Sequence, residues 1–117
     1  MWRFGNNPRI EILCEPGVYT FFSESGSGKS YLYSVLQQTA PEGVALYTYG
    51  RGLVQTLPCK SPNLILCDRV DMYSTEVYKV LTSDAIVLLD WKQSQLSEAG
   101  LVMFTEFSAD RIVVKSI

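Results

Sequence analysis

Two periods of hydrophobic and polar residues take turns along this chain. Residues 9–14 (RIEILC) set Ile10 and Ile12 between polar neighbours, the period of two that marks a half-exposed strand. Pro16-Gly17 signals a turn, and residues 18–22 (VYTFF) are aromatic and β-branched, which favours a second strand. After a Ser/Gly-rich loop, residues 29–39 carry Leu32, Val35, Leu36 and Thr39 on one helical face, and Pro41 and Gly43 end that helix. Residues 44–49 (VALYTY) read as a core strand closed by Gly50 and Gly52, whereas 51–60 fit either a short helix or an irregular crossover. The runs 64–67 (LILC) and 85–89 (AIVLL) are continuously apolar, as buried parallel strands are, and each ends at an acid, Asp68 and Asp90. Between them, residues 74–83 fit a helix with Val77, Val80 and Leu81 inward and Ser74 as its N-cap. Residues 94–104 suit another helix despite Gly100, and 111–114 (RIVV) a last strand.

The resulting order, β-β-loop-α-β-(α)-β-α-β-α-β, predicts an α/β fold. Strands alternating with helices imply a three-layer sandwich with a mainly parallel sheet covered on both faces, plus an N-terminal β-hairpin strand. The length of 117 residues suits a single domain spanning 1–117, so any larger function calls for self-assembly or a protein partner.

Charge and composition narrow the chemistry. The net charge of −2 comes without a Lys/Arg cluster, so nucleic-acid binding is not indicated. The chain has no His, and Cys14, Cys59 and Cys67 lack metal-ligand spacing, which argues against a zinc site and against His-based acid–base catalysis. An odd number of cysteines, two of them in apolar runs, suggests buried free thiols and a cytoplasmic setting. No stretch approaches 18 apolar residues, and no membrane span is expected.

The segment Ser23-Glu24-Ser25-Gly26-Ser27-Gly28-Lys29-Ser30 lies between an expected strand and an expected helix, the setting of a Walker A phosphate loop. Gly26 and Gly28 permit a tight turn and close approach of the backbone to oxygen atoms. Successive N–H groups then cradle an anion, and the helix N-terminus adds partial positive charge. In this reading Ser25, Gly26, Ser27, Gly28, Lys29, Ser30 and Tyr31 contact the nucleotide. Lys29 reaches the β- and γ-phosphates as a catalytic group, and the Ser30 hydroxyl is a ligand of Mg²⁺. Ser23 departs from the consensus, which has Gly at that position.

The stretch from Ile10 to Gln38 (IEILCEPGVYTFFSESGSGKSYLYSVLQQ) resembles the opening of ATP-binding-cassette ATPases and related RecA-like P-loop NTPases. The resemblance rests on a hairpin turning at Pro16-Gly17, an apolar strand and SGSGKS, and covers about the first third of the chain. It implies ATP as the nucleotide, and a Walker B strand one strand away from the strand that precedes the phosphate loop.

LILCD, ending at Asp68, is similar to that Walker B motif, with Asp68 as the metal acid at the carboxyl end of a core strand. Where hydrolysing relatives place a catalytic Glu next, this chain has Arg69. Either Asp71 takes the base role or hydrolysis is slow or absent, and Asp71 is equally suited to capping the next helix. Asp90 is placed either to sense the γ-phosphate or to cap residues 91–104. Trp2 and Phe4 precede the loop at about the distance where cassette ATPases stack an aromatic on adenine, and packing on the sheet edge is the competing role. LSGGQ, a His after Walker B, and NKxD are not found.

The sequence therefore supports a minimal P-loop domain that binds ATP or another NTP with Mg²⁺, possible slow hydrolysis, and a site completed by a homo-oligomer or partner. The alternatives are a non-catalytic, nucleotide-responsive interaction module and a small phosphotransferase acting on a nucleoside or metabolite.

Overall fold

A computed structural model describes residues 1–21, 26–49, 53–68, 84–89 and 100–117. They form β1 (Trp2–Phe4), β2 (Arg9–Leu13), β3 (Gly17–Phe21), α1 (Gly26–Thr39), β4 (Val44–Tyr49), β5 (Leu53–Leu57), β6 (Leu64–Asp68), β7 (Ile86–Leu89), β8 (Gly100–Phe107) and β9 (Arg111–Ser116). All nine strands join one sheet in the order β1-β2-β9-β8-β3-β7-β6-β4-β5. At its centre β8, β3, β7, β6 and β4 run parallel. The pairs β1/β2, β8/β9 and β4/β5 are antiparallel, and β2/β9 is parallel.

This architecture overturns the expected three-layer sandwich with a mainly parallel sheet. The described residues are mostly strand with one helix, and the sheet is mixed and curled into a half-barrel. Part of the difference lies at residues 100–107. The end of the expected helix 94–104 is instead strand β8, with Val102 buried and Leu101 and Met103 outward. Pairing with β3 on one side and β9 on the other outweighs the weak helical spacing of its apolar residues. Residues 53–57, left between helix and crossover, form a strand antiparallel to β4. The hairpin expected at Pro16-Gly17 is absent as well, because β9 and β8 lie between β2 and β3. The N-terminal hairpin is β1/β2, with Trp2 opposite Ile12 and a turn through Gly5, whose φ of 78° favours glycine. The helix expected over residues 74–83 and residues 94–99 of the next lie outside the described residues. No described helix is long and apolar enough to cross a membrane.

Alternation along the central strands divides the core between the two sheet faces. One face carries Val44, Leu46, Leu64, Leu66, Ile86 and Leu88, packed with Leu32, Val35 and Leu36 of α1, and continues to Ile10, Ile12, Ile112 and Val114. Ala45, Ile65, Cys67, Val87 and Leu89 form a second cluster on the other face. LILC and IVLL are apolar at every position because both sides of these strands are buried. Burial pushes the Cys67 thiol up to about 12 and also raises that of Cys14, so both remain protonated packing groups. The Tyr33 hydroxyl bonds the Thr56 hydroxyl at 2.7 Å, which in turn donates to the Leu46 carbonyl, tying α1 to β4 and β5. Thr39, assigned to the inward helical face, is exposed, and its hydroxyl donates to the Val35 carbonyl at the helix end.

On the outer wing of the sheet, Glu11 is buried among half-exposed guanidinium groups. Arg111 donates to its Oε1 through Nε (3.0 Å) and a terminal nitrogen (2.6 Å), and Arg3 donates to Oε2 at 2.9 Å. These bonds, from Arg111 first and Arg3 second, hold the Glu11 carboxyl below its ordinary value of 4.5. The folded pKa is the lower one, so this contribution to stability is complete above the unfolded value and is lost as pH falls through the folded value. Glu11→Gln is expected to flatten the decline of melting temperature below about pH 4.5. An acid decline as steep as that of the native protein would show that the cluster does not couple folding to pH.

Candidate functional site

The central parallel strands end at a common level. Thr20 is in register with Leu89, Leu89 with Cys67, and Cys67 with Tyr47, so Phe21 and Asp68 both stand one residue beyond that row. β3 ends at Phe21, and α1 starts at Gly26. β7 separates β3 from β6, so the strand ending at Asp68 is one strand away from β3. Two strand spacings correspond to about 10 Å.

The helix begins inside the glycine-rich string, so Gly26 and Gly28, expected in the loop, instead lie in its first turn, where Gly26, Ser27 and Gly28 carry N–H groups that precede the first i→i−4 bond. The first turn of α1 has no acidic residue to offset the positive end of its dipole. Ser30 is exposed one residue after Lys29. Its hydroxyl and the carboxylate of Asp68 are hard oxygen donors of the kind Mg²⁺ takes. Among the described residues no three His, Cys, Asp or Glu side chains converge on a metal position.

The side chains around this turn are aromatic. Lys29 is only 8% exposed, and its Nζ lies 5.9 Å from the centre of the Phe21 ring. A Cβ on Gly28 would stand 3.1 Å from Phe104 Cε2, so glycine lets α1 approach β8 closely, a packing role additional to any phosphate contact. Phe21 stacks on Phe104 at 5.2 Å, Phe104 meets Phe107 edge-on at 5.3 Å, and Phe107 meets Tyr31 edge-on at 5.7 Å. Four rings thus run from the end of β3 to the flank of α1.

Gly28, Lys29, Ser30 and Tyr31 follow one another in the first turns of α1, and β6 ends in Asp68. Ser23, Ser25, Arg69, Asp71 and Asp90 lie outside the described residues. Trp2, considered as a base-stacking group, is instead 8% exposed in the core and stacks on Phe4, which is itself packed against the core. Sequence reasoning missed Phe104 and Phe107, because reading residues 94–104 as helix hid their position beside α1. Family models, curated proteins and solved structures were all compared with the chain, and none matches it.

Proposed function

We propose that this protein binds the phosphates of a nucleoside triphosphate, ATP with Mg²⁺, at the N-terminal turn of α1, beyond the end of β3. The observation that carries this reading is positional. SESGSGKS joins the carboxyl end of a central parallel strand to a helix N-terminus, and a second parallel strand ends in Asp68 at the same edge. That edge is where parallel strands place ligands, and backbone N–H groups at a helix start receive anions. Lys29 and Ser30 serve the phosphates and the metal, which lowers the charge density of the phosphate chain. Arg69, in place of a glutamate after Asp68, favours binding with slow turnover over rapid hydrolysis.

The test is a thermal-shift titration of the native protein with Mg·ATP and Mg·GTP, repeated with EDTA. At 100 times its Kd, a ligand that binds only the folded state adds about 2.7 kcal/mol, a rise of roughly 10 °C for a domain of this size. The rise is expected to shrink when the metal is chelated. No rise with either nucleotide at millimolar concentration would refute the proposal.

A further inference from the structure

The four-ring run is buried at one end and exposed at the other. Phe21, where the loop begins, is 8% exposed, whereas Tyr31 and Phe107 at the far end are 42% and 48% exposed. Two local devices bring that end together. Gly28 and Tyr31 are three residues apart on α1 and share the side facing β8. Phe104 and Phe107 are also three apart, a spacing that in a regular strand points side chains to opposite faces. A register shift between Phe104 and Glu106 pairs Phe104 with Val114 and Phe107 with Ile112, both on the α1 face. The bulge therefore turns both phenylalanines towards the helix, as bulges re-aim side chains beside binding sites.

We infer that Tyr31 and Phe107 form the platform that receives the base of the bound nucleotide, one ring stacking on its face and the other, inclined at 71° to the first, meeting its edge, an inference that rests on the phosphate site proposed above. Tyr31 is five residues beyond Gly26, which places it about 7–8 Å along the helix axis from the first N–H groups. A ribose and its 5′-phosphate bridge such a distance. The ligand chemistry is that of a flat heteroaromatic ring carrying phosphates. Stacking on aromatic side chains uses the π-face, which every base has, so the platform adds affinity with little choice among bases. Trp2, buried in the core, leaves this pair as the exposed aromatic surface next to the phosphate loop among the described residues.

The experiment compares Kd for Mg·ATP and for Mg·tripolyphosphate, which lacks the base, in the native protein and in Tyr31→Ala, Phe107→Ala and Tyr31→Phe. Each alanine variant is expected to weaken Mg·ATP by roughly 5- to 100-fold and to leave tripolyphosphate within about twofold, with Tyr31→Phe close to native. Tyr31→Ala replaces an exposed helical residue with the best helix former, so it keeps the test valid if Phe107→Ala does not fold. Tripolyphosphate binding as tightly as ATP, or alanine variants that weaken both ligands equally or neither, would overturn the platform while leaving the phosphate site standing. Binding of neither ligand by the native protein would overturn both.

Discussion

Lys29→Met is expected to lose most nucleotide affinity, by about 10- to 100-fold for Mg·ATP. A charge-assisted hydrogen bond is worth about 1.5–3 kcal/mol, and methionine has no ammonium to make one to phosphate. Methionine is the informative replacement because Lys29 is 8% exposed and lies over Phe21. Alanine would remove both the charge and the buried stem. Methionine keeps an unbranched apolar chain of similar length, and its sulfur packs well against an aromatic ring. Calorimetric titration of the native and variant proteins gives the two constants. Native affinity in Lys29→Met would mean that the lysine is a packing group and that the phosphates, if bound, are held by the backbone alone.

Leu88→Ala should destabilise the fold by about 3–4 kcal/mol, a large share of the roughly 5–15 kcal/mol typical of a domain. Leu88 is fully buried in β7, between Tyr19 of β3 and Leu66 of β6, in the cluster that receives α1. Strands held in register on both sides collapse little into the cavity, so the cost is expected to sit high in the observed range. Leu101→Ala is the control. Leu101 belongs to the same sheet but is 40% exposed, and the change should stay within about 0.5 kcal/mol. Urea denaturation measures both, with the midpoint shifting at constant slope. A loss below about 1 kcal/mol for Leu88→Ala would contradict the placement of β7 at the centre of the sheet.

The readability of this fold in its sequence varies by element. α1 was legible because Leu32, Val35 and Leu36 repeat at helical spacing and Pro41 follows, and they are the residues that pack on the sheet. β6 and β7 were legible as uninterrupted apolar runs, since burial on both faces removes the need for polar alternation. β8 was not. Leu101, Val102 and Phe104 fit either period, and the flanking strands that settle the matter come from residues 17–21 and 111–116. The string from Ser23 to Ser30 could be recognised as a candidate phosphate loop from local chemistry alone. The position of Lys29 against Phe21, and of Phe107 beside Tyr31, could not, because each pairs residues from separate elements.

By itself the sequence determined what depends on near neighbours: the strands β3, β4, β6 and β7, and the amphipathic face and end of α1. Tertiary structure decided the order of the nine strands, the mixed and curled sheet in place of a covered parallel one, the β1/β2 hairpin, and the aromatic run along α1. The reason is the range of the forces. Side-chain period and helix ends are set within a few residues, whereas a strand's partners are set by backbone hydrogen bonds to residues far along the chain, as between Arg9 and Arg111 in β2 and β9, and by which faces can be buried together.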